Sequence, residues 1–462
     1  MSPPRTGGFA EVLRSSPYRR LLAVRLSSQL GDGAFQAGLA SFVLFNPTQA
    51  PTAPLVAGAL SVTVLPFTVV GPFAGVLLDR WSRQRVLLVS NLVRVALVVL
   101  LAVVVLLGDG RPAGSVLSAL YVLVLTTLTV NRFLLAGLSA SLPKTVRPGL
   151  LVPANAITPT LGTGAFGVGF GLGLGTRLVL GPGAVTDSLI LGLGAGLFLT
   201  GALLALRIGR RDLGPDERTE ASAGEAVRAV LAGLREGAVH VWHRPAARNA
   251  IGVIGAHRFA FGLSTIATFL LARGYLSADV DVGLGILGLA GAAAGAGALL
   301  AAVLTPTCTR RLGGLPARRR AGLGGLDAWV VLALLVAFAV EGLYTLGVAV
   351  WSLTAGALVL GLAGQVVKIA ADTHVQTAVQ ESVRGRAFAF YDVVFNAAFI
   401  LAAALGALVT PDDGYSRLLY AFIAVLYLVT GLTYLRAGRR NAGDATDRTR
   451  AAPTATTGPC IE

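Results

Sequence analysis

Charged residues are scarce in this chain. Asp, Glu, Lys and Arg make up 13% of its 462 residues, and hydrophobic residues make up 54%. Soluble domains carry about 25% charged residues. A water-soluble core of this size could not hide so much apolar surface. The composition therefore excludes an ordinary soluble domain.

Cysteine is nearly absent, and so are the motifs of common enzymes. Cys308 and Cys460 are the two cysteines, and neither has the spacing of a metal ligand or of a disulfide framework. The sequence has no phosphate-binding glycine loop and no nucleophile elbow. We therefore expect no enzyme activity, no catalytic residues, no bound metal, no cofactor, and no use of ATP within this chain.

The excess of positive charge does not indicate nucleic acid binding. The formal net charge is +15, but the arginines are spread over several short loops instead of forming one basic face. The first 20 residues are polar and basic, and they do not have the pattern of a cleavable signal peptide. We expect no nucleic acid partner.

Long apolar stretches dominate the chain. A stretch of about 20 such residues can cross the roughly 30 Å hydrocarbon layer as a helix, because a helix satisfies its own backbone hydrogen bonds. We number the predicted spans 1 to 12: 21–45, 54–78, 86–107, 115–139, 153–180, 186–207, 247–272, 283–306, 324–341, 344–370, 387–409 and 416–436.

The arginines lie mainly in every second loop between these spans. Positive residues gather on the cytoplasmic side of membrane proteins. The pattern predicts a multi-pass protein of the cell membrane, embedded in the lipid bilayer, with both termini in the cytoplasm.

A charged middle segment divides the spans into two groups of six. This arrangement is typical of one large class of secondary transporters. It predicts an N-terminal half (1–207), a cytoplasmic linker (208–246), a C-terminal half (247–436) and a disordered tail (437–462). Helical spacing around 226–234 predicts an amphipathic surface helix in the linker.

The segment 75–85, GVLLDRWSRQR, resembles the signature loop of the major facilitator superfamily. Ser82 replaces the usual second glycine. The resemblance implies an all-α membrane protein with 12 transmembrane helices in two six-helix halves around a central cavity. It also implies that the loop acts as a conformational latch. The matching positions are Gly75, Asp79, Arg80, Arg83 and Arg85.

Three further stretches resemble the drug- and metabolite-exporting branch of that superfamily, which includes macrolide-efflux-like and siderophore-exporter-like proteins: 28–33, 140–156 and 379–392. The resemblance implies a monomeric antiporter that exports small amphipathic compounds in exchange for protons. A proton-coupled uptake symporter for a small metabolite and a non-transporting receptor or scaffold are the alternatives.

Asp32 is the only acid in span 1. Gln29, Asp32 and Gln36 fall on one helix face, which suits the wall of a central cavity. Because burial disfavours the charged carboxylate, Asp32 is a candidate for proton coupling; the alternative is a structural partner for an arginine. Arg132 in span 4 is its candidate partner. Arg94 in span 3 could instead reach the cytoplasmic surface by snorkelling.

Other polar residues within the spans are further candidates for the cavity wall. Lys368 has a simpler explanation as the i, i+4 partner of Asp372, and a lone membrane histidine is more often structural. The candidates are His257, Arg258, Gln365, Lys368, Asp392 and Asn396.

Span 5 is rich in glycine, which indicates either close helix packing or a role specific to antiport. Its glycines are Gly162, Gly164, Gly167, Gly169, Gly171, Gly173 and Gly175.

Overall fold

The structure is a computed structural model. It describes residues 9–39, 81–108, 115–147, 150–214, 223–316, 323–411 and 413–451. Within these ranges the regular structure is helical. The α-helices are α1 Phe9–Arg14, α2 Ser16–Leu39, α3 Arg83–Leu107, α4 Ser115–Ser141, α5 Leu151–Leu180, α6 Ala184–Ala205, α7 Ala223–Trp242, α8 Pro245–Leu270, α9 Val280–Gly314, α10 Gly325–Tyr344, α11 Val350–Ala378, α12 Glu381–Val409 and α13 Arg417–Ala451.

The predicted membrane spans are largely confirmed. Among the described residues, 10 helices are long and apolar enough to cross a membrane, and they correspond to spans 3 to 12. The helix α2 matches span 1 as far as Leu39. Span 2 (54–78) and the end of span 1 lie outside the described residues. The chain is therefore an all-α membrane protein.

The helices fall into two compact units. The first comprises Met1–Ala232, Phe269–Gly285 and Ala403–Gly414. In its described part, α2 packs on α5 and α6, and α3 packs on α4 and α6. One apolar cluster centres on Tyr18 and Leu87, and a second centres on Phe35 and Phe198.

Glycines bring α2 and α5 unusually close. A Cβ on Gly33 would collide with the backbone of Phe166, and one on Gly169 would collide with the backbone of Leu30. Such contact requires residues without side chains.

The packing interpretation of span 5 is confirmed for three of its glycines. Gly162, Gly169 and Gly173 face α2. At the other four, no atom of the described residues lies within 4 Å of the position that a Cβ would occupy: Gly164, Gly167, Gly171 and Gly175.

The second unit comprises Gly233–Thr268, Ile286–Ala402 and Tyr415–Glu462. Here α10 packs on α11 and α13. Glycines again permit close backbone contact, since Gly297 of α9 lies against Leu358 and Gly361 of α11 lies against Ala294.

The predicted boundary between spans 9 and 10 was wrong. The helix α10 continues to Tyr344, and α11 begins at Val350 and ends at Ala378. Gly347, in the middle of the connection, has a φ of 144, a conformation that favours glycine. The Ser352 hydroxyl then accepts a hydrogen bond of 2.9 Å from the Ala349 backbone N–H at the start of α11.

The linker contains the expected helix, α7, over Ala223–Trp242. Its Gly237 lies against the backbone of Arg386, and Glu236 is ion-paired with the same arginine. The helix α13 runs to Ala451, although span 12 was predicted to end at 436 and the tail to be disordered. The domain boundaries at 207 and 246 stay a prediction.

Candidate functional site

Asp32 of α2 and Arg94 of α3 form a buried ion pair in the first unit. Their side chains are 5% and 0% exposed. The Arg94 guanidinium also lies 3.5 Å from the centre of the Phe198 ring, and the Asn131 side chain of α4 lies beside Asp32. Four helices thus contribute to one polar centre.

The residues beside Asp32 explain how this centre excludes water. Gly31 lies against the Phe198 ring of α6, and Gly33 lies against the backbone of α5. Larger side chains at these two positions would push the neighbouring helices away. An acid enclosed in this way needs a cation, because an unpaired charge in a membrane interior is very costly.

The partner of Asp32 is Arg94, not the predicted Arg132. Snorkelling of Arg94 to the cytoplasmic surface, the possibility left open for it, does not occur in this structure, because its side chain is fully buried. The orientation of α3 gives the reason. Asn91, one turn before Arg94, is 3.1 Å from Ser28, one turn before Asp32. The same face of α3 therefore meets α2 at two successive turns.

The spacing of polar residues in the sequence could have indicated that Asp32 pairs with Arg94. Ser28 and Asp32 are four residues apart on one helix, and Asn91 and Arg94 are three apart on the other. Both spacings place a pair on one helix face. Arg132 lies half-buried on α4, next to Asn131.

Within the described part of the chain, the structure gives no hydrogen bond between Asp32 and the two glutamines that were predicted to share its helix face. The Gln29 Oε1 accepts a hydrogen bond of 2.8 Å from the Arg25 Nε. Gln36 is half-buried. That these residues line a cavity stays a prediction.

His257 and Arg258 lie together on α8 in the second unit. The His257 Nδ1 is 3.3 Å from the Tyr427 hydroxyl of α13. The Arg258 guanidinium lies 4.1 Å from the ring centre of Phe395 and 4.8 Å from that of Phe399, both on α12. The aromatic rings thus provide a favourable surface for this cation inside the unit.

The remaining candidates make local contacts. The Lys368 Nζ donates to the Asp372 carboxylate at 2.8 Å, as the i, i+4 interpretation predicted, and these side chains are 42% and 32% exposed. The Asn396 Nδ2 donates to the backbone carbonyl of Asp392 at 2.8 Å. Gln365 is half-buried on α11.

Glu341 is the most notable residue that sequence reasoning missed. It lies in α10 with 0% exposure, beside Ser264 of α8. Span 9 was predicted to end at this position. The helix in fact continues to Tyr344.

Two other polar contacts were also missed. Arg177 and Asp187 form a buried ion pair of 2.8 Å between α5 and α6. Asp327 of α10 accepts a hydrogen bond of 2.5 Å from the Tyr434 hydroxyl and lies 2.8 Å from His374 Nε2.

The signature loop is only partly visible. Gly75, Asp79 and Arg80 lie outside the described residues. Arg83 donates to the backbone carbonyls of Ala140 at 2.8 Å and Leu213 at 3.1 Å. Arg85 is exposed. The latch therefore stays a prediction.

Known proteins identify the family. No protein-family model matches the chain. An uncharacterized MFS-type transporter of Mycobacterium tuberculosis is 37% identical over 429 residues, which are 93% of each chain. One of Mycobacterium bovis has the same identity and coverage. The chain belongs to the major facilitator superfamily. This MFS protein is thus a membrane transporter and not an enzyme.

Solved structures agree on the fold. A POT family transporter in complex with 5-aminolevulinic acid has a TM-score of 0.68 at 11% identity, covering 95% of this chain and 98% of that one. The nucleoside transporter NupG has a TM-score of 0.64 at 14% identity, covering 91% and 99%. Identities this low show that the MFS transporter shares their fold, and they carry no information on its substrate.

Proposed function

We propose that this MFS transporter exports small amphipathic compounds, such as drugs, antibiotics or secondary metabolites, in exchange for protons by alternating access. The buried Asp32–Arg94 pair supports the proton coupling. The exporter-like stretches 28–33, 140–156 and 379–392 support the direction and the class of compound. A monomer with both termini in the cytoplasm, and a latch built from the signature loop, belong to the same proposal.

In this proposal Asp32 is the group that binds the proton. A proton on its carboxylate removes the negative charge that Arg94 faces. Arg94, whose guanidinium lies 3.5 Å from the centre of the Phe198 ring, is then buried without its counter-charge. Loss of the proton restores the ion pair.

Protonation of Asp32 can change the conformation because it removes the stabilisation that the ion pair provides. Removing one partner of a buried ion pair costs about 3–5 kcal/mol. When Asp32 is protonated, the helix arrangement that buries Arg94 loses this stabilisation, so a different arrangement becomes favourable. A ligand or proton shifts such an equilibrium only by its differential affinity for the two states, and the pair supplies that difference.

The test uses purified protein in liposomes with an imposed pH gradient. A thermal-shift screen first selects compounds that bind, and a pH-sensitive dye then reports proton movement when each compound is added. We expect proton movement with wild type and none with Asp32→Asn. Asp187→Asn is the matched control, because Asp187 is also paired with a buried arginine in the first unit; it should keep coupled movement.

The direction of the compound separates the alternatives. In an antiporter the compound moves against the proton flow, whereas in a symporter both move together. Movement in the same direction as the protons would replace export by uptake. If compounds bind to the protein but none of them crosses the membrane, the protein is a receptor or scaffold. If Asp32→Asn still couples compound transport to proton movement, Asp32 is not the proton-binding group.

A further inference from the structure

The second unit contains a buried acid that has no ion-pair partner among the residues that the structure describes. Glu341 is fully buried in α10. Ser264 lies beside it, but within the described part of the chain neither carboxylate oxygen has a partner in hydrogen-bond geometry. This differs from Asp32, whose charge is balanced by Arg94. An ionised carboxylate in such a place would cost several kcal/mol.

The groups around Glu341 are neutral hydroxyls. The phenol of Tyr344 on its own helix and those of Tyr420 and Tyr427 on α13 are close enough to interact with it electrostatically. The Tyr344 hydroxyl already donates to the Ser352 backbone carbonyl at 3.2 Å. The Tyr420 hydroxyl is buried without a partner among the described residues. None of these groups offers a positive charge.

Tyr427 interacts electrostatically with this acid and contacts a second titratable group, His257. Its hydroxyl lies 3.3 Å from His257 Nδ1 on α8, and its ring is 5.8 Å from the imidazole ring. Arg258, the cation next to His257, also interacts with Tyr427, and its guanidinium lies over the ring of Phe395. Tyr427 thus interacts with Glu341 and with both His257 and Arg258 of α8.

We propose that Glu341 is a second proton-binding site, which holds a proton as the neutral acid and exchanges it through Tyr427 and His257. The proposal rests on the proton coupling proposed above and extends it, because the cycle then has an acid in each unit. Release requires the Glu341 carboxyl and the Tyr427 hydroxyl to move into hydrogen-bond distance. The Glu341 proton then passes to the Tyr427 oxygen while the Tyr427 proton passes to an unprotonated Nδ1 of His257. The products are a carboxylate, an unchanged tyrosine and an imidazolium.

Infrared spectroscopy of the transporter in liposomes, without any substrate, tests the site at neutral pH. The wild type should show the C=O band of a protonated carboxylic acid, and this band should shift in D2O. Glu341→Gln should lose the band. Glu236→Gln, on the exposed surface of α7, and Asp32→Asn should keep it. Absence of the band in wild type, or its persistence in Glu341→Gln, would overturn the proposal.

The exchange path has its own test. Tyr427→Phe should slow the deuterium shift of the band at least tenfold, because the hydroxyl between the acid and His257 is gone. Tyr420→Phe is the matched control on the same helix and should exchange at the wild-type rate. Equal rates in wild type and Tyr427→Phe would contradict the path.

Folding defects and failure of the coupling proposal can both be recognised. If Glu341→Gln does not accumulate, Glu341→Asp should shift the frequency of the band, and an unchanged band would overturn the assignment. The band is measured without transport, so coupled transport in Asp32→Asn would overturn only the role of Asp32.

Discussion

The Arg94 guanidinium donates to the Asp32 carboxylate inside the first unit, and both side chains are closed off from solvent. One turn earlier on each helix, Ser28 meets Asn91. The two contacts fix the rotation of α3 against α2. A charge and its partner on adjacent helices therefore contribute both to packing and to the proposed proton response.

The energetic dependence of the two residues can be measured by a double-mutant cycle. Arg94→Gln leaves Asp32 buried without its cation, so we expect a loss of about 3–5 kcal/mol in the free energy of unfolding. Adding Asp32→Asn should recover most of this loss. Denaturant unfolding in detergent would measure the free energy of unfolding of wild type, the two single variants and the double variant.

Arg132 provides the comparison for that cycle. The effect of Arg132→Gln should be the same with and without Asp32→Asn, because Asp32 is ion-paired with Arg94. Strictly additive losses for Asp32 and Arg94, or strong coupling of Asp32 to Arg132, would contradict the observed pairing.

Asp32 and its partner show how far the sequence can predict such a site. A lone acid in a long apolar stretch stands out from composition alone, because its burial is costly in a membrane. The identity of the partner depends on how α3 and α4 are rotated, which apolar length does not determine. The twelve-span pattern and the signature loop predicted the family, since both depend on local sequence.

Glu341 failed to stand out for a different reason. Its position depends on where α10 ends, and helix ends are the least certain part of a prediction from sequence. Three further residues of helix, up to Tyr344, change an acid at a predicted membrane surface into a fully buried one. Two of the phenols that interact with it, Tyr420 and Tyr427, come from α13, a helix distant in sequence.

The glycines of α5 should differ sharply in their tolerance of alanine. Gly169→Ala would place a methyl group against the Leu30 backbone, and such overpacking costs about 1–3 kcal/mol. No atom of the described residues lies within 4 Å of a Cβ position at Gly167, so Gly167→Ala should be neutral or stabilise the helix by up to about 1 kcal/mol. Thermal unfolding in detergent measures both variants, and equal midpoints would contradict the close contact of α2 and α5.

The connection between α10 and α11 should depend on Gly347. Its φ of 144 is a conformation that side chains rarely adopt, so Gly347→Ala should destabilise the protein by about 1–3 kcal/mol. Gly342, in the last turn of α10, has nothing within 4 Å of its Cβ position. Gly342→Ala therefore provides the control, and a thermal midpoint at or above that of wild type is expected for it.

Tyr434 should stabilise the second unit through its bond to a carboxylate. Its hydroxyl donates to Asp327 at 2.5 Å, and the same carboxylate oxygen contacts His374. A hydrogen bond to a charged group contributes about 1.5–3 kcal/mol, whereas a neutral one contributes about 0.5–1.5 kcal/mol. Tyr434→Phe should therefore lower the free energy of unfolding more than Tyr415→Phe does.

Tyr415 is suited to this comparison because its hydroxyl donates to a neutral group, the Thr345 backbone carbonyl, at 3.2 Å. Each variant removes one oxygen atom, so the difference between them reports on the charge of the acceptor. In an Asp327→Asn background the acceptor is neutral, and the two losses should become similar. An unchanged loss for Tyr434→Phe in that background would show that its contribution arises from packing of the ring, not from the carboxylate.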